Sequence, residues 1–76
     1  MSSRYSMLIQ WSAEDEAYVV TFREFPGAHT HGASYEEAVK NGEDVLELLA
    51  SAYRTDGKRL PEPADFRYAP ARQSSA

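Results

Sequence analysis

The sequence contains no cysteine, which excludes a disulfide framework and every metal site built on thiolates. That absence fits a reducing cytoplasm. Long apolar runs are missing too, and nothing approaches the roughly 18 residues that a membrane-spanning helix needs. The opening residues, MSSRYSMLIQWS, carry one arginine and then a run broken by serine and glutamine. This is not the pattern of a secretory leader. Positive charge is scarce: eight Lys and Arg stand against twelve Asp and Glu, a net charge of −4 at pH 7. Nucleic-acid phosphates repel such a surface, so direct DNA binding is not expected. A basic protein is the better electrostatic match, because complementary fields speed encounter and reject wrong partners.

Catalytic motifs are also lacking. There is no Gly-x-Ser-x-Gly elbow and no nucleophilic cysteine. Gly27 and Gly32 lie too far apart to form a phosphate-cradling loop. The first strand carries no inward carboxylate of the kind a metal-dependent nuclease needs. His29 and His31, the two histidines, are spaced i and i+2. On a strand they point the same way and could share a metal, but a site wants three or four ligands. The nearby acids Glu24, Glu36 and Glu37 are already assigned to a turn and a helix cap. The pair is therefore expected on the surface of an edge strand, with no metal, no cofactor and no catalytic residue.

At 76 residues the chain makes one small domain. About 40–80 residues is the range where a single core is marginal without disulfides, metal or oligomerisation. Within it, Tyr5, Met7, Ile9 and Trp11 alternate with polar residues and Leu8, which predicts a strand over 5–12 with one buried face. Ala13-Glu14-Asp15-Glu16 suits a hairpin loop, and Ala17 to Arg23 reads as a second, antiparallel strand. Pro26-Gly27 stops it, and a short third strand is expected over 28–32.

The helix has the clearest signature. Ser34-Tyr35-Glu36-Glu37 is a capping box, in which the Ser34 hydroxyl accepts from the Glu37 N–H and the Glu37 carboxylate is expected on the Ser34 N–H. At 100° per residue, Tyr35, Ala38, Val39, Gly42, Leu46, Leu49 and Tyr53 form one apolar stripe. Leu48 falls on the charged side. Asp56-Gly57 supplies the stop. Beyond Pro61-Glu62-Pro63, Phe66 and Tyr68 alternate with Arg67 and suggest a short fourth strand. The expected fold is two-layer α+β, a three-stranded antiparallel sheet covered by one helix in the order β-β-β-α. One helix covers one face of that sheet, so the other is expected to promote self-association.

The string Phe25-Pro26-Gly27-Ala28-His29-Thr30-His31-Gly32-Ala33-Ser34-Tyr35-Glu36-Glu37-Ala38 closely resembles the signature of HicB-like antitoxin domains. Their pattern is approximately an aromatic or Leu, then Pro-Gly-Cys-x-Thr-x-Gly, an acid, Thr or Ser, any residue, and Glu-Glu-Ala. Glu16-Ala17-Tyr18-Val19-Val20 resembles the family's second strand, and Asn41-Gly42-Glu43-Asp44-Val45-Leu46 its helix. Gly57 with Leu60-Pro61-Glu62-Pro63 resembles its exit. The resemblance spans about Tyr5 to Pro63. Ala28 stands where Cys is common, which marks that position as a packing site. Too few residues follow Pro63 for the second, DNA-binding domain that many members carry. Residues 1–69 are thus expected to form a single domain, with 70–76 a flexible tail and no separate DNA-binding domain.

The resemblance implies a partly degraded RNase H-like fold, β-β-β-α-β, without nuclease activity. It implies a cytoplasmic antitoxin that binds and masks a small basic HicA-type mRNA-cleaving toxin, and that forms dimers or higher oligomers. The alternative is a stand-alone oligomeric scaffold or small-ligand-binding domain without a toxin. The signature residues are then architectural: Pro26 and Gly27 for the turn, Thr30 and Gly32 for close packing, Ser34 and Glu37 for the cap, Ala38 behind it. Glu14, Asp15, Glu16, Glu24 and Leu48 are the candidate partner contacts.

Overall fold

The alternating segments pair as a meander. In a computed structural model, which describes residues 4–68, β1 (Leu8–Ser12) runs antiparallel to β2 (Ala17–Thr21), and β2 antiparallel to β3 (His29–Gly32). The helix α1 (Tyr35–Asp56) follows and lies on one face of the sheet. Cross-strand partners share a face. Ile9, Val20 and Thr30 therefore point to the helix, as do Trp11, Tyr18 and Gly32. Leu8, Thr21 and His29 point the other way, with Gln10, Val19 and His31.

Val20, at the centre of the middle strand, is 0% exposed. Phe22, Phe25, Ala38 and Leu46 close around it, and Tyr5, Met7, Ile9, Val45, Leu49, Tyr53 and Leu60 pack at the margin. The Phe25 ring meets Tyr5 and Tyr53 edge-on, at centroid distances of 4.9 and 5.6 Å. Two consecutive turns carry the chain from β2 to β3: the Phe25 N–H donates to Phe22 O, and the Ala28 N–H to Phe25 O. In the second turn Pro26 takes the position that wants φ near −65°, and Gly27, at φ 92°, the one that needs positive φ.

Both helix ends are closed. The Glu37 N–H donates to Ser34 Oγ at 3.1 Å. Glu37 Oε1 accepts from the Ala33 N–H at 2.6 Å, one residue earlier than the reciprocal bond expected at Ser34. At the other end Gly57, at φ 71°, donates to Arg54 O, and the Lys58 N–H donates to Tyr53 O. This is a Schellman pair.

Glycine sets the distance between helix and sheet. A Cβ on Gly32 would collide with Ala38 N and would stand 2.8 Å from Ala38 Cα and from the Glu37 carbonyl carbon. All three are backbone atoms and have nowhere to go. A Cβ on Gly42 would meet Met7 Sδ at 2.5 Å and Val20 Cγ1 at 3.2 Å. There the nearest obstacle is the end of a flexible side chain.

The helix is drawn toward β3, covers β2 less, and barely reaches β1. Two expectations fail for this reason. Trp11, expected in the buried series with Tyr5, Met7 and Ile9, is 55% exposed. The buried stripe of α1 is also rotated: Tyr35 and Val39 are exposed, while Val45 packs on the core. The suggested fourth strand is not found among the described residues. Phe66 and Tyr68 lie in irregular chain, exposed and touching edge-on at 4.8 Å. The tail assigned to 70–76 lies outside the described residues. No helix among those residues is long and apolar enough to cross a membrane.

Gly32→Ala is expected to lose roughly 3 kcal/mol or more of stability in urea unfolding, since overpacking against fixed backbone has no cheap relaxation. Gly42→Ala should stay within about 1 kcal/mol of wild type, because the helix-propensity gain offsets the displacement of Met7. Wild-type stability of Gly32→Ala would show that the helix does not approach the sheet at this point.

Candidate functional site

The signature residues assemble into one joint. Pro26 and Gly27 turn the chain into β3, where Thr30 faces the helix beside Val20. Gly32 then lies under Ala38, and Ser34 and Glu37 close the helix start above it. Asn41, one turn further on, donates from Nδ2 to His31 O at 2.8 Å. That bond occupies a carbonyl of β3, which is an edge strand of the sheet. These residues hold helix to sheet.

His29 and His31 are exposed on the opposite face. With Asp15, Ala17, Val19 and Thr30 they line a shallow depression of about 370 Å³. Among the described residues no three His, Asp or Glu side chains are grouped to hold a metal ion. His29 Nδ1 sits 3.4 Å from Gly27 O, a local contact within its own turn.

The five candidate partner contacts separate into three places. Glu14, Asp15 and Glu16 form the exposed tip between β1 and β2. Asp15 is tied back there, its N–H donating to Ser12 Oγ and its Oδ2 accepting from the same hydroxyl. Leu48 is 70% exposed on the outer face of α1, roughly three and a half turns from the helix start.

Glu24 has a different task. Its Oε1 accepts from the Ser6 N–H at 3.0 Å, and its Oε2 from Ser6 Oγ at 3.1 Å and the Ala64 N–H at 2.7 Å. One carboxylate thus clasps the segment before β1, the β2–β3 connection and the chain after the helix. The Tyr5 hydroxyl reinforces the clasp by donating to Pro61 O at 2.7 Å. Burial pushes the Glu24 carboxyl up. The N–H donors of Ala64, Ser6 and Glu24 itself, with the Ser6 hydroxyl, outweigh that and hold it below the ordinary glutamate value.

An exposed aromatic ladder escaped the sequence. Trp11 meets Tyr18 edge-on at 5.1 Å, and Tyr18 stacks on Tyr35 at 4.5 Å with 23° between the planes. The signal was present in the hairpin register: a loop of 13–16 pairs Ser12 with Ala17, and so Trp11 with Tyr18. What the sequence could not show was that the helix leaves Trp11 uncovered.

Residues 4–69 match the model of a family described as the HicB-like antitoxin of bacterial toxin–antitoxin systems. The chain belongs to the HicB-like antitoxin family. A Thermotoga maritima protein designated only as a UPF0150 protein is 38% identical over 45 residues, 59% of this chain and 60% of that protein. The match therefore spans less than two thirds of that relative's length. No solved structure matches the chain. In this HicB-like chain the matched region contains the whole β-β-β-α unit and the Glu24 clasp.

Because the Glu24 carboxyl is held below its ordinary value, its contribution is complete above that value and is lost as pH falls through the lowered one. Glu24→Gln is expected to cost about 1–2 kcal/mol at neutral pH. The gap to wild type should close on acidification, as the native carboxyl protonates. Urea midpoints measured across the acid range check this, and a pH-independent gap would rule out the ionised clasp.

Proposed function

We propose that this HicB-like chain is a non-catalytic antitoxin that binds and masks a small basic HicA-type, mRNA-cleaving toxin. The observation that carries the proposal is the match of residues 4–69 to an antitoxin family. The charge balance supports it: a net charge of −4 favours encounter with a basic protein and disfavours nucleic acid. The disposition of the signature residues supports it as well, since they are spent on joining helix to sheet, which leaves binding to the surface. In this proposal residues 1–69 act as one binding domain.

The test is to look beside this gene for a short reading frame that encodes a small basic, double-stranded-RNA-binding-like protein, and to co-express the two. A stable complex on co-purification and relief of that protein's growth inhibition are expected. A toxin that stays unbound and continues to arrest growth in the presence of the folded chain would refute the proposal.

A further inference from the structure

The Trp11–Tyr18–Tyr35 ladder is exposed at both ends, Trp11 at 55% and Tyr35 at 59%. It stands where two acidic segments converge. Glu14 and Glu16 lie on the hairpin tip that directly joins the strands of Trp11 and Tyr18, and Glu36 follows Tyr35 in the first helical turn. The tip and the helix start are spatial neighbours, for Glu16 and Glu37 line one depression together with Gly32 and Ala33. Asp15 and Glu37 are engaged with Ser12 and Ala33. The side chains of Glu14, Glu16 and Glu36 make no hydrogen bond or ion pair among the described residues.

The sequence keeps this end poor in positive charge. From Tyr5 to Val39 there are six Asp and Glu, and Arg23 is the single Lys or Arg. Lys40, one turn after Glu36, is paired with Asp44 at 3.5 Å. Three aromatic rings bordered by three unpaired carboxylates fit one side chain above others. A guanidinium stacks flat on an aromatic face and at its edge offers a fork of donors to carboxylates. Nucleic-acid bases also stack on aromatics, but their phosphates would meet the carboxylates.

We propose that the Trp11–Tyr18–Tyr35 ladder, with Glu14, Glu16 and Glu36 beside it, is a docking surface for arginine side chains of a basic protein partner. That this partner is the toxin rests on the function proposed above; the arginine chemistry does not. Of the acidic candidates, the surface uses the hairpin tip and leaves Glu24 to its internal clasp.

Trp11 is the one tryptophan of the chain, so its emission reports on the site directly. An oligo-arginine peptide titrated into the full chain should change that emission saturably, and added salt should weaken the effect. Oligo-lysine of equal length should bind less tightly. Tyr35→Ala should weaken binding about fivefold, and so should the combined Glu14→Gln, Glu16→Gln and Glu36→Gln variant, whose aromatic ladder is intact. Glu47→Gln, an exposed carboxylate further along α1, should bind as wild type.

An emission indifferent to the peptide, or equal affinity in all variants, overturns the proposal. So does a response to single-stranded oligonucleotide in place of peptide, or an emission that changes with protein concentration alone, which marks a contact between copies of the chain. If the toxin binds wild type and Tyr35→Ala equally and leaves Trp11 emission unchanged, the antitoxin function stands and this surface is wrong. If the peptide binds as described and no toxin does, the surface stands and the antitoxin function fails.

Discussion

The passage of α1 over Gly32 governs the rest of the molecule. The backbone at Glu37 and Ala38 comes so near that no side-chain carbon fits between helix and β3. A helix pinned at its first turn to one edge strand is drawn away from the opposite edge of the sheet. It therefore covers β3 and β2 and hardly reaches β1. The core takes its shape from that offset, with Val20 and Leu46 at its centre and Met7 beside Gly42. Asn41 is brought within reach of the β3 edge, where it occupies the His31 carbonyl. An occupied edge is a poorer template for unwanted strand pairing.

So small a core needs help from outside it. Disulfides are excluded by composition, and one face of the sheet has no covering layer among the described residues. Two polar ties draw the ends together instead: the Glu24 carboxylate to Ser6 and Ala64, and the Tyr5 hydroxyl to Pro61. Each joins positions far apart in sequence, so each closes a long loop in the native state. The uncovered face is mixed, with Leu8 and Val19 among Gln10, Thr21, His29 and His31. Its polar members can remain in water, so the face does not have to be buried for the chain to fold.

How much of this was legible in the sequence depended on range. Ser34, Gly57 and the Pro26-Gly27 turn act within a few residues of themselves, and their roles and positions were readable directly. The hairpin followed from alternation and a short polar loop. Glu24 was not readable as a clasp, since nothing near it announces Ser6 or Ala64, and it was grouped with the surface acids by charge alone. Trp11 and Tyr35 were placed in the core because periodicity gives the direction of a side chain on its own element and says nothing of how far the covering element extends. Val45 was missed for the same reason, as a modest rotation of the helix about its axis exchanged it for Val39. Phe66 and Tyr68 had the alternation of a strand, yet they lie exposed in irregular chain, since alternation alone supplies no pairing partner.

The offset that exposes the aromatic ladder also separates the charges. The hairpin tip and helix start carry Glu14, Glu16 and Glu36, while Arg54, Lys58 and Arg59 gather at the helix exit. Each group suits its end of the helix dipole: acids at the positive N-terminus, bases at the negative C-terminus. Such an arrangement would also attract a second copy head to tail, a contact that does not close and leads to open chains. Two features work against that outcome. Lys58 lies 5.8 Å over the Tyr53 ring of its own chain, so part of the basic end is already engaged. And the net charge of −4 makes copies repel at distance, whereas a basic partner is drawn in from the first encounter. The same excess of acid that opposes contact between copies would favour the basic partner proposed for the ladder.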